Sequence, residues 1–136
     1  MVIAALASLS GCAWFRGSGA AAGSPYLSTK LCGVQIDGKT RATRLRLLLT
    51  ALRPLPTNGT LEVDFPNPAD DAKTLTVRQR LTGKEQTIEV LSPSLTAMRP
   101  RSYHVVARVY LPGDTTRALG THTVRCESLV DDRELP

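Results

Sequence analysis

Two histidines, a few clustered aspartates, three cysteines and a set of arginines are the side chains of this 136-residue chain whose types can do chemistry. His104 and His122 fall on consecutive expected strands, where hairpin register can bring two imidazoles together as the start of a metal site. Spacing supplies no third ligand, and outward-facing histidines on a hairpin are ordinarily solvated. Asp64, Asp70 and Asp71 bracket the Asn67-Pro68 turn with the oxygen chemistry that calcium takes. They lack the fixed alternation and the glycine of a calcium loop, so they read as a polar loop. Cys32 and Cys126 have no CxxC partner, which argues against redox catalysis. A Gly-rich phosphate loop, a nucleophile elbow and a His-Glu-x-x-His run are all missing. The expectation is a protein without catalytic residues, metal or cofactor, and not an enzyme.

The arginines carry the remaining binding chemistry. Basic residues number 17 against 12 acidic ones, a net charge of +5. Arg44 and Arg46 lie on the second expected strand, and Arg78, Arg80 and Arg108 on later ones. Aligned on a sheet, these guanidinium groups would suit lipid phosphates, lipopolysaccharide or an acidic protein surface. The alternative is a solvated sheet face. Nucleic acid is a poor partner, because stacking platforms need aromatic residues and these make up only 4% of the chain.

The N-terminus adds an address. Met1 to Leu9 is uncharged and almost wholly apolar, and it is far shorter than the roughly 20 residues that span a bilayer. It closes on Leu9-Ser10-Gly11-Cys12, which resembles the bacterial lipoprotein signal: an aliphatic residue and two small ones before a cysteine that is lipidated. The resemblance implies that residues 1–11 are a signal peptide and that Cys12 carries acyl chains such as palmitate. It also implies export to an oxidising compartment. No basic residue precedes the short apolar run, so the signal is expected to begin further upstream. Ala13, in place of Asp, resembles the pattern that sends lipoproteins to the outer membrane, with the domain in the periplasm or exposed at the surface. Spending Cys12 on lipid leaves Cys32 and Cys126, which an oxidising periplasm would let pair; the alternative is two separately buried thiols. Residues 12–25 read as a tether. Trp14, Phe15 and Arg16 suit the headgroup region, and Gly17 to Ser24 contains only Gly, Ala and Ser. Such a spacer gives a reach of roughly 20 Å.

What must position any binding surface is a domain over residues 26–128. Helical periodicity is not sustained anywhere, whereas period-two alternation recurs between turn signals. The expected strands are Leu27–Asp37, Thr43–Leu52, Thr60–Phe65, Lys73–Leu81, Glu85–Leu91, Ser102–Leu111 and Arg117–Glu127. Leu45, Leu47, Leu49 and Ala51 share one face of the second strand; Leu61, Val63 and Phe65 share one face of the third. Tyr103, Val105, Ala107, Val109 and Leu111 do so in the sixth. Thr57-Asn58-Gly59, Thr82-Gly83 and Pro112-Gly113-Asp114 supply turns. Seven short strands at this spacing predict an all-β, seven-stranded antiparallel sandwich. Leu95 through Arg99-Pro100 to Tyr103 resembles the tyrosine corner that leads into the sixth strand of immunoglobulin-like and fibronectin type III domains. That resemblance implies a Tyr103 hydroxyl bonded to backbone a few residues upstream. Two departures count: the third strand has no core Trp, and a Cys32–Cys126 bridge would join first and last strands. Another antiparallel sandwich or a small barrel is the alternative. Residues 129–136 read as a flexible acidic tail; the alternative is a docking peptide.

These features predict a non-enzymatic, membrane-anchored accessory or scaffolding subunit of an envelope assembly of secretion, conjugation or pilus type, with another envelope protein as partner. The alternative is an inhibitor-type lipoprotein that binds a ligand or an envelope polymer.

Overall fold

Alternation of leucines builds the centre of the domain. Along Thr43–Ala51 the side chains of Leu45, Leu47 and Leu49 are fully buried while Arg44, Arg46 and Leu48 point the other way. Branched and aromatic residues do the same along Thr60–Pro66, where Leu61, Val63 and Phe65 are buried. Neither strand can satisfy its backbone alone, so each is flanked by partners and covered by the other's apolar face. A computed structural model describes residues 24–135, and the signal segment, Cys12 and Trp14-Phe15-Arg16 lie outside the described residues.

The strands are β1 (Leu27–Ile36), β2 (Thr43–Ala51), β3 (Thr60–Pro66), β4 (Thr74–Arg80), β5 (Thr87–Leu91), β6 (Arg101–Tyr110) and β7 (Gly120–Ser128). All pairings are antiparallel. One sheet has the order β1-β2-β5 and the other β4-β3-β6-β7. The domain is therefore the expected seven-stranded antiparallel sandwich. Strand ends differ from expectation by up to three residues, most at the start of β7, where Arg117 N–H donates to the Asp114 carboxylate within the turn. One inward assignment is corrected. β6 stops at Tyr110, and Leu111 stands 47% exposed at the start of a turn. In that turn Asp114 N–H donates to the Leu111 carbonyl over 3.1 Å, with Gly113 at φ 74°. Pro then Gly at the central positions is the arrangement a type II turn requires.

The two sheets are joined in three ways. Apolar packing is the first: the β2 leucines, with Ile88 and Val90, meet Val63, Phe65, Tyr103, Val105, Val109 and Val124 in one continuous core. The corner is the second. Tyr103 is 1% exposed, and its hydroxyl accepts from Arg99 N–H at 3.0 Å and donates to the Arg99 carbonyl at 3.2 Å. One phenol thus satisfies both polar groups of a single backbone residue four positions upstream. A disulfide is the third. Cys32 of β1 and Cys126 of β7 are bonded with Cα atoms 5.2 Å apart, closing a loop of 94 residues.

The segment expected to be a free acidic tail is attached in this structure. Asp132 N–H donates to the Met98 carbonyl, and the Asp132 carboxylate accepts from Met98 N–H at 3.0 Å and from Arg99 Nη1 at 2.7 Å. Ala97, at φ 60°, turns the backbone so that these groups face the tail. Asp132 therefore holds the corner from outside as Tyr103 holds it from inside.

Register places the loops at two poles. The start of β1, the end of β2, the start of β3, the end of β6 and the start of β7 share one pole, and the chain arrives there through Ser24. Ser24 packs against Gly120, where a Cβ would collide with the serine hydroxyl. The corner, the tail and the β1–β2 and β3–β4 loops occupy the opposite pole.

Tyr103→Phe removes both corner hydrogen bonds but keeps the ring, and should cost about 1–3 kcal/mol, read as a lower urea midpoint at unchanged slope. Reduction of the disulfide, or the Cys32→Ser/Cys126→Ser pair, should cost about 4–5 kcal/mol by loop-closure entropy. Equal midpoints for oxidised and reduced protein would contradict the assignment.

Candidate functional site

Strand order decides what the five expected arginines can do. Arg44 and Arg46 lie on β2, whereas Arg78 and Arg80 lie on β4 and Arg108 on β6. They project from the outer faces of different sheets, so the single arginine face expected from sequence is two faces. A residue's outward phase is local, but its sheet is set by long-range pairing.

The larger face is a closed charge network. β4, β3 and β6 are adjacent, and their register puts Arg78, Glu62 and Arg108 in one cross-strand row. Arg78 Nε donates to Glu62 at 3.0 Å, and Arg108 Nη1 lies 2.6 Å from Asp64 and 3.5 Å from Glu62. The Tyr110 hydroxyl reaches Glu62 at 3.4 Å, and the Thr76 hydroxyl donates to Asp64 at 2.7 Å. Burial pushes Asp64 up, but hydrogen bonds from Arg108 and Thr76 outweigh it and hold the carboxyl below its ordinary value. The hydrogen bond to Asp64 raises Arg108 in turn. Burial and the nearby Glu62 charge push the Tyr110 phenol up. Two arginines thus share two carboxylates, and little positive charge is left for an external anion.

On the smaller face, Arg46 pairs with Glu89 of β5. The Arg44 Nε is buried without a partner. Of the five expected arginines, Arg44 and Arg80 have no ion-pair partner among the described residues.

The histidines do not meet. In the β6–β7 hairpin His104 opposes Arg125 and His122 opposes Ala107. Ala107 faces the core, so His122 points inward and His104 outward, on opposite sides of the sheet. His122 was expected on the outside. It turns in because it shares the inward phase of Val124 and Cys126 along β7, and there Thr29 Oγ1 of β1 meets its Nε2 at 2.7 Å. Its Nδ1 is buried and unpartnered. Burial lowers its pKa below the ordinary value.

The aspartates disperse as well. Asp64 belongs to the network above, Asp70 accepts from Ala72 N–H within its own turn, and Asp71 lies 3.6 Å from Arg101. Among the described residues no group of three His, Cys, Asp or Glu side chains is placed to hold a metal ion.

What sequence reading missed is an open groove of about 550 Å³ at the corner pole, lined by Arg41, Thr43, Ser94, Leu95, Asp132 and Leu135 among others. It forms because Leu95 bridges to Thr43 and the tail folds back across the corner. The acidic tail, which could be a docking peptide, was its only signal, and nothing in the sequence said that it would dock on this chain's own corner.

No known family model matches this chain, and no curated protein or solved structure matches it.

His122 generates a pH dependence. Its pKa is depressed on folding, so the unfolded chain binds the extra proton first as pH falls through about 6.5. Stability should therefore fall below that pH until the folded-state pKa is passed. Urea midpoints between pH 7.5 and 5.5 should show this slope in the wild type and a smaller one in His122→Gln.

Proposed function

We propose that the protein is an exported lipoprotein, acylated at Cys12, whose β-sandwich serves as an accessory or scaffolding subunit of an envelope assembly at the outer membrane. The observation that carries this reading is Leu9-Ser10-Gly11-Cys12 followed by a Gly-Ala-Ser spacer that leads directly into one pole of a folded domain. A Cys32–Cys126 disulfide supports it, since such bonds persist in oxidising compartments. The tyrosine corner, and a fourth strand beside the third, support the immunoglobulin-like or fibronectin type III-like resemblance.

The mechanism is local concentration. A short Gly-Ala-Ser spacer would hold the domain at an effective concentration on the order of millimolar relative to membrane partners. The open flank supplies a binding element. β4 and β5 are the free edges of the two sheets, and β4 keeps Leu75 and Val77 only half-buried. A partner strand added there would gain backbone hydrogen bonds and cover those side chains.

A second reading, an inhibitor-type lipoprotein that binds a ligand or polymer, is favoured by the groove between Arg41 and Leu135.

Metabolic labelling with a fatty-acid probe tests the anchor. The wild type should be labelled and pelleted with membranes, and Cys12→Ala should be unlabelled and released. Unlabelled, cytoplasmic wild-type protein refutes the proposal. Affinity capture from solubilised membranes separates the roles: a stoichiometric partner supports the scaffold, and a solitary lipoprotein with an occupied groove supports the alternative.

A further inference from the structure

The pole at which the chain enters is apolar and basic at once. Leu52, Leu111 and Leu119 are 58%, 47% and 37% exposed, and all three lie in the loops or strand ends of this pole. Leu52 N–H donates to the Tyr26 carbonyl, and Leu119 N–H to the Val109 carbonyl, so the leucines stand on fixed backbone. The loops also brace one another: Asn58 N–H donates to the Leu81 carbonyl and Leu81 N–H to the Gly59 carbonyl. Gly83, at φ 91°, fits closely against Thr57. This surface is built, not a chance of loose loops.

Its charge is cationic in effect. Arg53, Arg80, Lys84 and Arg117 project here, and none has an ion-pair partner among the described residues; Arg53 lies over the Tyr26 ring. The pole's two carboxylates are turned to their own backbone. Glu85 accepts from Thr82 and Gly83 N–H, and Asp114 from Thr116 and Arg117 N–H. The opposite pole also exposes Ile36 and Leu129 and leaves Lys39 and Arg41 without an ion-pair partner among the described residues, but it carries more carboxylates: Asp37, Asp70, Asp71, Asp131 and Asp132 all lie there, the last two paired with Arg133 and Arg99.

We propose that this pole is a membrane-contacting surface, with the three leucines entering the headgroup boundary of an anionic phospholipid bilayer and Arg53, Lys84 and Arg117 meeting lipid phosphates. Exposed apolar side chains rimmed by cations are what interfacial binding uses. A bilayer is the occupant because residues 13–23 separate Cys12 from Ser24 of this pole, a reach of about 20 Å. That orientation rests on the lipoprotein reading above. Tethering makes a weak contact sufficient, and the contact turns the free edges of β4 and β5 alongside the membrane instead of into it.

The test uses the processed chain, residues 12–136, with Cys12→Ser; it contains all seven strands, the disulfide and both poles. Flotation with vesicles of phosphatidylcholine alone, or with one-third phosphatidylglycerol, reads binding without an acyl chain. Binding to the anionic vesicles is expected, falling about tenfold or more in Arg53→Glu/Arg117→Glu and in Leu52→Ser/Leu119→Ser. Lys39→Glu/Arg133→Glu at the opposite pole should leave it unchanged. All six positions are surface residues, and equal urea midpoints would confirm folding. Absence of binding, or binding that neither pole variant weakens, overturns the proposal. Acyl labelling in cells is a separate readout: an unlabelled protein that still binds vesicles refutes the anchor and spares this surface.

Discussion

The bond between Cys32 and Cys126 joins the outermost strand of one sheet to the outermost strand of the other, and the rest of the domain is organised by that closure. β1 and β7 form one flank of the sandwich, sealed by covalent linkage, by the Thr29–His122 hydrogen bond and by packing of Cys126 in the core. β4 and β5 form the other flank, where among the described residues no strand covers the free edges. Closing a loop of 94 residues restricts the unfolded chain, so the bridge stabilises without demanding a larger core. A sandwich shut on one side and open on the other has a direction built into it.

Where charge sits follows from the same strand order. Placing β3 between β4 and β6 aligns Arg78, Glu62 and Arg108, and the face spends its cations on itself. Exposed ion pairs of this kind add little stability, but they keep a broad sheet surface hydrated and near neutral. Four cations free of such pairing among the described residues, Arg53, Arg80, Lys84 and Arg117, gather at the pole where the chain enters, with only Glu85 and Asp114 beside them. The opposite pole is held by internal bonds instead, with the tyrosine corner bracketed by Tyr103 and Asp132. Binding chemistry is therefore displaced from the sheet faces to the open flank and the poles.

This division explains which parts were legible in the amino-acid order. Period-two alternation is local, so Leu45, Leu47 and Leu49, or Leu61, Val63 and Phe65, reveal their buried face without knowledge of their neighbours. The corner is local too, because Tyr103 bonds a residue only four positions upstream. Register between distant strands is not local. Nothing near Glu62 announces that Arg78 and Arg108 will flank it, and nothing near Arg46 says that its sheet is not theirs. Nothing near His122 announces that Thr29 of β1, nearly a hundred residues away, will meet its imidazole. Asp132 docks because the tail returns to residues more than thirty positions earlier. The candidate lipidation site was readable only as a resemblance, since a modification signal is recognised by an enzyme in extended form and leaves no mark on the fold.

The two ends of the described chain lie at opposite poles. The described chain begins at the pole bearing Leu52, Leu111 and Leu119 and ends across the corner at the other. A tether at the first pole would leave the corner, the groove beside it and the far ends of β4 and β5 directed away from the membrane. Partner contact and membrane contact would then fall on different ends of one rigid body, with the disulfide-closed flank between them fixing their separation. A sandwich whose sheets could slide would lose that spacing; one stapled from first strand to last keeps it. The bridge thus contributes geometry as well as stability, because it holds the two poles in one fixed relation.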